Sequence, residues 1–304
     1  MTLRQAQVTR RQAQVTLRQA QGERAPLSVL VPTLDEELNL SECLDSVCWA
    51  EQVFVVDSYS ADRTVEIARA HGAEVVQHPF ESYSRQKNWA LETLPFKHEW
   101  VLIVDADERV TPELRAEIEA LLAQDGSACA GYYVNRRFIF LGTWIRHAGW
   151  YPSWNLRLFR HRLGRYDDRE VHEHVVLNGP AGYLRHDLLH LDRRPLEAFV
   201  ARHNRYSTLE ALARYKAETG APEGARLPLN LLGSPVERKR LLRERVWPRV
   251  PAKPLALFIY MYLLRRGFLD GRAGLALCVF HAFQEFMVGL KSAELRGSQR
   301  KASS

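Results

Sequence analysis

Residues 27–40 read LSVLVPTLDEELNL, and their pattern indicates the class of fold. The first part, 27–32, is a mostly apolar run bounded by Pro26 and Pro32, which is typical of a buried strand. Apolar residues then recur at helical spacing over 40–47, with Asn39 as the expected N-cap. The stretch therefore predicts a strand that is followed directly by a helix.

The same alternation continues along the chain. Further strands are predicted at 52–56, 73–77 and 99–104. Helices are predicted at 61–71, at 82–94 and from Thr111, where a capping residue precedes Pro112 in the first turn. Strands that alternate with helices through short loops predict βαβ units and a parallel sheet, and unbroken apolar runs predict strands that are covered on both faces.

The pattern changes after about Cys129. The segments GYYVNRRFIF (131–140), WNLRLFR (154–160) and EVHEHVVL (170–177) predict strands of a mixed sheet or extended loops. The C-terminal part is predicted to be helical at 196–219, 254–266 and 273–295. The expected domains are therefore an α/β catalytic domain at 26–195 and a helical region at 196–304.

Composition excludes a disordered chain, a collagen and a coiled-coil rod. The chain has 304 residues, of which 46% are hydrophobic and 26% are charged. Lys and Arg (42) exceed Asp and Glu (36) by six. This balance fits anionic lipid head groups at least as well as nucleic acid, and we expect no nucleic-acid partner. The four cysteines form no CxxC pair, which argues against a zinc site or a disulfide framework.

The N-terminus is a repeat with a period of seven: MTLRQAQ, VTRRQAQ and VTLRQAQ. Three short repeats of this composition offer little surface to bury, so residues 1–25 are expected to be a disordered or repeat-derived tail. No secretory signal is expected, since the tail lacks an apolar core. No spanning helix is expected, because the sequence contains no run of about 18 apolar residues.

Acidic residues follow three of the predicted strands. Asp35, Glu36 and Glu37 follow the first, Asp57 follows the second, and the segment 105–108 (DADE) follows the fourth. Ligands of open parallel sheets bind beyond the carboxyl ends of the strands, where these groups are expected to meet. Carboxylates gathered in this way repel one another unless a cation or hydrogen-bond donors lie between them.

Asp105 and Asp107 are candidate ligands of a divalent cation. If the extended conformation continues past Val104, both side chains lie on the same face. Mg²⁺ or Mn²⁺ would take one or two carboxylates and complete its coordination with phosphate oxygens and water. The alternative is a solvated turn without a metal.

Several nucleotide-binding and hydrolase motifs are missing. The sequence has no GxGxxG after the first strand, no GxxxxGK[ST] and no GxSxG. Without a glycine-rich cradle, the charge of a diphosphate would rest on the metal and on nearby Arg and Lys. The segment 85–88 (RQKN), which includes Lys87, is the candidate, unless it is an ordinary helix surface.

Four motifs in order resemble glycosyltransferase family 2, and the chain as a whole is similar to its lipopolysaccharide-core β-1,4-glucosyltransferase branch. They are VPTLDEELNL (31–40), VVDSYSADRT (55–64), SRQKNWAL (84–91) and VLIVDADERV (101–110). The resemblance implies the GT-A nucleotide-diphospho-sugar fold, with a mostly parallel central sheet flanked by helices and a C-terminal helical appendage.

The resemblance also implies roles for individual residues. Pro32, Thr33 and Glu36 would shape the nucleoside pocket, and Asp57 would hydrogen-bond the uracil or its ribose. Asp107 would bind the metal that bridges the diphosphate, with Asp105 beside it on ribose or metal. The sequence departs from the family pattern in having Asp35 where Asn is common and Tyr59 where Gly is usual.

An inverting transferase also needs a base for the acceptor hydroxyl. The segment 167–174 offers four carboxylates, and the VHE segment of the related branch points to Glu173, with Asp168 as the alternative. His172 and His174 are taken as exposed or packed histidines, since a zinc pair would lack further ligands. His190 is a possible extra metal ligand. Four other residues either line the acceptor or diphosphate path or serve packing: Trp150, Trp154, Arg157 and Arg160.

The tail suggests a membrane contact. PLALFIYMYLL (254–264) is too short to span a bilayer, and Arg265 and Arg266 follow it, while 238–249 is basic. A helical pair with basic flanks would lie on anionic cytoplasmic lipid, which predicts a cytoplasmic protein held peripherally on the inner face of the cytoplasmic membrane. The alternatives are a hairpin that closes the core and a dimer face.

The expected function is a metal-dependent, inverting transfer of a hexose, with glucose as the expected sugar, from a UDP-sugar to a cell-envelope glycolipid or saccharide. One alternative is a sugar-phosphate nucleotidyltransferase. That class usually has a basic Gly-rich loop after the first strand, whereas this loop is acidic. The other alternative is a catalytically silent, membrane-associated binding module, against which the pair Asp105 and Asp107 argues.

Overall fold

The structure is a computed structural model that describes residues 24–123, 128–167, 175–219 and 250–302, with side chains described up to 216 in the third range and 297 in the fourth. The chain divides into two compact units. The first unit runs to Ile139 and resumes over Tyr151–Arg194. The second consists of Phe140–Trp150 and the chain from Pro195 onward. The predicted tail 1–25 lies almost entirely outside the described residues.

The described strands are, in chain order, β1 (Ala25–Thr33), β2 (Ala50–Asp57), β3 (Glu74–Gln77), β4 (Trp100–Ile103), β5 (Glu108–Val110), β6 (Gly131–Phe140), β7 (Thr143–Trp144), β8 (Trp154–Arg160), β9 (Gly164–Tyr166), β10 (Val175–Leu177) and β11 (Ala181–His190). The main sheet has the order β3-β2-β1-β4-β8-β6-β11-β5. The pairings within β3-β2-β1-β4 and between β6 and β11 are parallel, and β4-β8, β8-β6 and β11-β5 are antiparallel. The sheet is therefore mixed, with a parallel half that comes first in the chain.

The described helices are α1 (Leu40–Val47), α2 (Thr64–Ala70), α3 (Tyr83–Thr93), α4 (Pro112–Leu122), α5 (Leu196–Thr219), α6 (Lys253–Ile259) and α7 (Gly271–Ala302). A π-helical turn (Tyr260–Leu264) follows α6, and a 3₁₀ turn (Gly267–Asp270) precedes α7. Thr111 caps α4 as predicted, since its hydroxyl accepts a hydrogen bond from the Leu114 amide at 3.2 Å. Ser82 caps α3 in the same way through the Arg85 amide.

The parallel half is covered on both faces, as the apolar runs predicted. Leu27, Val29 and Val31 of β1 pack with the buried face of α1, whereas Leu30 packs with Ala90 and Leu91 of α3. Successive side chains of a strand point to opposite faces, so β1 serves two layers of core. Full burial of one such Leu or Val contributes about 1.5–3 kcal/mol.

Register brings the ends of three strands together. β1 lies between β2 and β4, parallel to both, with Thr33 opposite Asp57 and Leu30 opposite Ile103. The loops after β1, β2 and β4 therefore leave the same edge of the sheet. The acidic residues that follow these strands lie at that edge, as the sequence predicted.

Two features differ in part from the sequence-based expectations. Asn39 does not cap α1 through its side chain, which bonds other residues described below. One helix is long and apolar enough, by length and composition alone, to cross a membrane: it spans Gly267–Gly297, and a third (33%) of its most apolar window is buried inside the protein. The sequence shows no unbroken apolar run here, because polar residues interrupt the apolar ones while the mean hydropathy of the window stays high.

Candidate active site

Asp57 organises the loops after β1 and β2. Its carboxylate is fully buried and accepts hydrogen bonds from the Ser60 amide at 3.0 Å, Gln77 Nε2 at 3.1 Å and Thr33 Oγ1 at 3.3 Å. The Ser60 hydroxyl donates to it as well. A buried carboxylate with several donors is satisfied without a counterion. The predicted nucleoside residues Thr33 and Asp57 are therefore in direct contact.

Two residues of these loops have left-handed backbone conformations. Asp35 has φ +53° and Tyr59 has φ +59°. Asp and Asn are the non-glycine types that tolerate this region best, and the Asp35 carboxylate also accepts a hydrogen bond from the Ala61 amide at 2.8 Å. Asn offers an oxygen for the same bond, so the departure from the family pattern at this position is conservative.

Three further hydrogen bonds join the segment after β1 to the segment after β2. The Asp35 amide donates to Ser60 Oγ at 2.9 Å, the Glu36 amide donates to Thr64 Oγ1 at 2.8 Å, and the Glu37 amide donates to Asp62 Oδ2 at 3.0 Å. The backbone of the acidic loop is thus held by side chains of the loop after β2. This arrangement fixes the position of Glu36 at the sheet edge.

The chain does not stay extended beyond β4. A turn at 106–107 is closed by a hydrogen bond from the Glu108 amide to the Asp105 carbonyl at 2.8 Å. The condition under which Asp105 and Asp107 would share a face is therefore not met. Their carboxylates instead contact two different sets of residues.

Asp105 belongs to a charged cluster beneath this turn. Its carboxylate pairs with Arg157 and lies 3.4 Å from Lys87 Nζ. Glu108, which is fully buried, accepts from Arg157 Nη2 at 2.7 Å and from Arg136 Nη1 at 3.5 Å. Burial opposes ionisation of Asp105, but the charges of Arg157, Lys87 and Arg136 outweigh it and hold the Asp105 pKa well below its usual range.

Asp107 belongs to a second cluster, around Arg194. Its Oδ2 lies 3.4 Å from His190 Nε2 and 3.8 Å from Arg194 Nη2. Arg194 also donates to Glu36 Oε1 at 2.9 Å and to both carboxylate oxygens of Asp192, at 2.9 and 3.0 Å. Three carboxylates thus face one guanidinium group, which leaves the cluster with excess negative charge.

Asn39 joins this cluster in place of capping α1. Its Nδ2 donates to Glu36 at 2.8 Å and to Asp192 at 3.0 Å. Its side-chain oxygen, Oδ1, accepts a hydrogen bond from the Arg193 amide at 2.7 Å. Burial raises the pKa of Glu36 to about 7, with Arg194 and Asn39 opposing the shift and Asp107 and Asp192 adding to it. The pKa of Glu36 is therefore raised chiefly because the carboxylate is buried, and the neighbouring carboxylates add to that effect.

The donor set of this second cluster fits a divalent cation. The described residues contain no group of three His, Cys, Asp or Glu side chains arranged around one metal position. Asp107 and His190 nevertheless present an oxygen and a nitrogen to each other, beside the carboxylates of Glu36 and Asp192. Mg²⁺ and Mn²⁺ bound with nucleotides take only one or two protein ligands, because phosphate oxygens and water supply the rest.

The remaining residues that the sequence predicted for the site lie outside these two charged clusters. Pro32 lies in register with Val56 at the end of β1. Trp154 packs edge-on against Tyr183 at 5.0 Å between ring centroids, and Arg160 lies over the Trp100 ring at 4.9 Å, so both serve packing. Trp150 belongs to the second unit. The candidate base Glu173 and its alternative Asp168, with His172 and His174, lie outside the described residues.

The sequence reading missed Asp192, Arg194 and Glu108 as site residues. Asp192 and Arg194 follow the end of β11, more than 150 residues after Glu36 in the chain. The signal available was the charged triplet Asp192-Arg193-Arg194 directly after a predicted metal ligand, His190. Which loop this triplet meets depends on the strand order and is not visible in a local pattern.

Comparison with known proteins identifies the family. Residues 28–188 match the model of the family described as "Glycosyl transferase family 2". "Lipopolysaccharide core biosynthesis glycosyltransferase LpsC" of Rhizobium meliloti (strain 1021) is 32% identical over 195 residues, which are 62% of this chain and 71% of that protein. An uncharacterized glycosyltransferase of Rickettsia bellii (strain RML369-C) is 28% identical over 88% of this chain and 86% of its own length.

A solved structure is also similar. The crystal structure of glucosyl-3-phosphoglycerate synthase from Mycobacterium tuberculosis, in complex with Mn²⁺, uridine diphosphate and phosphoglyceric acid, has 19% sequence identity and a TM-score of 0.41. It aligns over 68% of this chain and 83% of that one.

The family match covers more than half of the chain, and it begins in β1 and ends in β11. The predicted transferase class and the GT-A fold class are thereby confirmed. The chain belongs to glycosyl transferase family 2.

Proposed function

We propose that the protein is an inverting, divalent-metal-dependent hexosyltransferase that moves glucose from UDP-glucose to a hydroxyl group of a cell-envelope glycolipid or saccharide. The observation that carries the proposal is the contact between Asp107 and His190 at the carboxyl edge of the sheet, beside Arg194 and the carboxylates of Glu36 and Asp192. The similarity to a lipopolysaccharide core biosynthesis glycosyltransferase supports the cell-envelope acceptor.

Asp107 and His190 would hold Mn²⁺ or Mg²⁺, with Asp105 nearby on the ribose. A bound divalent cation supplies charge stabilisation for the departing diphosphate. Because three carboxylates surround Arg194, the protein alone cannot bind a diphosphate at this position without strong repulsion. A divalent metal would offset this repulsion, which supports the proposed metal dependence.

The chain's own residues would bind and orient the donor. Pro32, Thr33 and Glu36 would border the nucleoside, with Asp57 hydrogen-bonding the uracil or ribose. Lys87 would contribute positive charge toward the diphosphate, since its ammonium group lies 3.4 Å from the carboxylate of Asp105, beside the turn at 106–107. Asp105, paired with Arg157 and Lys87, would remain ionised at every pH at which the enzyme works.

Inversion requires a single displacement, in which the acceptor oxygen attacks the anomeric carbon as the diphosphate leaves. A base takes the proton of the acceptor hydroxyl. We assign this role to Glu173, with Asp168 as the alternative. The acceptor would be lipid-linked or a saccharide at the inner face of the cytoplasmic membrane, where the protein would be peripherally bound, and no nucleic acid would take part.

A donor screen tests the proposal. UDP-, ADP- and GDP-linked hexoses are incubated with the full-length protein and a cell-envelope extract, and released nucleotide is measured with Mn²⁺, with Mg²⁺ or with EDTA. We expect turnover of UDP-glucose with either metal, and a loss of about 100-fold or more in EDTA and in Asp107→Asn, which is about 2.7 kcal/mol of transition-state stabilisation. Asp45→Asn, on the exposed side of α1, is the matched control.

The same screen identifies the base. Glu173→Gln should abolish transfer while UDP-glucose still binds, and Asp168→Asn should retain transfer. Turnover that is insensitive to EDTA would remove the metal from the proposal. Preference for an ADP- or GDP-sugar would remove the uridine nucleotide.

A further inference from the structure

Exposed apolar side chains are concentrated in the second unit. Of the 21 large apolar residues that are exposed within the described part of the chain, 12 fall between residues 255 and 290. They are Leu255, Ile259, Tyr260, Leu263, Leu264, Phe268, Leu269, Leu275, Val279, Phe283, Phe286 and Leu290. We call these side chains the outer apolar residues. Contiguous exposed apolar surface of this kind marks an interaction site.

On helix α7 these residues form one continuous stripe. Leu275, Val279, Phe283, Phe286 and Leu290 follow one another at intervals of four, four, three and four, which is the spacing of a single helix face. Each is between 41% and 56% exposed. At 1.5 Å per residue the stripe is about 22 Å long.

The other side of α7 is the one that packs within the unit. Leu277, Cys278 and Val288 are fully buried there. The usual amphipathic arrangement, with a polar outer face, is therefore absent: α7 is apolar on its packed side and again on its outer side. A helix that only closed a core would not need the outer stripe.

The preceding segment repeats the arrangement. Leu255, Ile259 and Leu263 recur at intervals of four, and Tyr260 and Leu264 lie beside them. Met261 is buried, in a cluster with Ala148 and Cys278. Both α6 with its π-helical turn and α7 thus expose apolar side chains.

Charge is also distributed unevenly. Between residues 253 and 292 the acidic residues are Asp270 and Glu285, and both are buried. Asp270 bonds His147 at 2.7 Å, and Glu285 bonds Arg214 at 2.8 Å. The exposed charged residues of this stretch are Arg265, Arg266 and Arg272. Just beyond this stretch Glu294 and Arg296 are exposed as well, so the exposed charges beside the outer apolar residues are four arginines and one acid, and their balance is positive.

We infer that the outer apolar residues dock on an anionic lipid bilayer, with α6 and α7 lying in the interface and Arg265, Arg266 and Arg272 at the level of the head groups. Apolar residues flanked by an excess of exposed cations match the acyl boundary and the negative surface of such a bilayer. A protein partner would need a complementary acidic surface as well as an apolar one. The outer apolar residues would be the membrane-binding surface of the peripherally bound protein proposed above. This assignment does not depend on which sugar is transferred.

An interfacial position suits α7 better than a spanning one. A spanning α7 would carry Glu285 and Gln284 into the hydrocarbon, and Glu285 is engaged by Arg214 of α5. Withdrawing that pair from its present environment would leave charged groups without their partners in a medium of low dielectric constant. A helix lying in the interface keeps this packed side as it is.

Vesicle co-sedimentation of the full-length protein, without donor or acceptor, tests the inference. Vesicles of phosphatidylcholine are compared with vesicles that contain about 30 mol% phosphatidylglycerol, at low and at high salt. We expect binding to the anionic vesicles that is about tenfold or more stronger than to the neutral ones and that weakens with salt. Because no sugar nucleotide is present, failure here leaves the proposed transferase activity untouched.

Two double variants separate the contributions. Phe283→Ser/Phe286→Ser should lower binding to anionic vesicles about tenfold or more, and Arg266→Glu/Arg272→Glu should remove the preference for them. Val176→Ser, at an exposed apolar position in the first unit, is the control and should bind as the wild type. Unchanged circular dichroism of each variant shows that it is folded.

Three results would overturn the inference. The first is equal or absent binding to both kinds of vesicle by the wild type. The second is binding that resists alkaline carbonate, which would make α7 a spanning helix. The third is a wild-type dimer that Phe283→Ser/Phe286→Ser converts to a monomer with unchanged vesicle binding, since the surface would then serve a second copy of the chain.

Discussion

Tyr59 occupies a backbone conformation that glycine would adopt without strain. Its φ of +59° is held by its neighbours, because the Ser58 amide bonds the Thr33 carbonyl and the Ser60 amide bonds Asp57. The ring itself is 59% exposed. A bulky residue in the left-handed region costs about 1–3 kcal/mol, and such strain is concentrated at functional sites.

Replacing Tyr59 by glycine should therefore stabilise the protein. Relief of the strain exceeds the entropy cost of a glycine, so we expect Tyr59→Gly to raise the free energy of unfolding by about 1 kcal/mol. Urea denaturation measures the change. Tyr59→Ala keeps the Cβ atom and with it the strain, and should not stabilise. Equal stability of the two variants would contradict the assignment of strain.

The acidic side chains of the site could be predicted from the sequence, but their partners could not. Asp57, Asp105 and Asp107 stand out because each follows an apolar run. Their surroundings depend on Arg157 and Arg194, which come from distant strands. The shared face expected for Asp105 and Asp107 fails for a local reason, since the turn at 106–107 reverses the chain one residue too early.

Among the elements, those with apolar runs were predictable and those built by long-range pairing were not. Strands β1, β2 and β4 stand out as apolar runs between loops. Strand β5 has three residues with the sequence ERV and exists because it pairs antiparallel with Leu188–His190 of β11, close to eighty positions away. No local sequence pattern predicts such a strand. Strand β5 nevertheless places Glu108 in the charged cluster.

Helices α5 and α7 pack around buried polar groups. Arg214 of α5 bonds Glu285 of α7 and Glu210 of its own helix, at 2.8 and 3.0 Å. His281 of α7 is buried near His203, with 5.9 Å between ring centroids. Its Nε2 has no hydrogen-bond partner within the described part of the chain. Burial, with a smaller contribution from His203 and opposed by Glu210, lowers the pKa of His281 to about 4.

The buried histidine makes stability depend on pH. The pKa of His281 is about 4 in the folded protein, whereas an ordinary histidine, as in the unfolded chain, has a pKa of 6.5. Between pH 4 and pH 6.5 the unfolded chain therefore binds more protons at this residue than the folded protein does. Protonation of His281 should therefore lower stability as the pH drops from 6.5 to 4, by an amount on the order of 3 kcal/mol, whereas Glu36, whose pKa is raised to about 7, contributes in the opposite sense.

Urea denaturation across this pH range checks the prediction. His281→Leu should remove this contribution, so the stability of the variant relative to the wild type should increase as the pH falls from 6.5 to 4. His161→Gln, at an exposed position in the first unit, is the control and should retain the wild-type slope. A slope that is identical in the wild type and His281→Leu would contradict the assignment to His281.

The whole chain combines a family 2 catalytic sheet with a helical unit of a different surface character. The first unit gathers carboxylates at one sheet edge, and the second exposes apolar side chains with positive charges beside them. The order of the four motifs was enough to predict the family and the class of fold. Donor and acceptor were not predictable in the same way, because their recognition depends on loops whose arrangement is set by the whole fold.

The most direct measurement is the affinity of the purified protein for UDP, by isothermal titration calorimetry, with and without Mn²⁺. We expect Mn²⁺ to strengthen binding about 100-fold in the wild type and in the exposed control Asp45→Asn, which is about 2.7 kcal/mol, and to have almost no effect in Asp107→Asn. If UDP binds equally well without metal, or if Asp107→Asn responds to Mn²⁺ as the wild type does, then the acidic edge of the sheet is not a metal and nucleotide site.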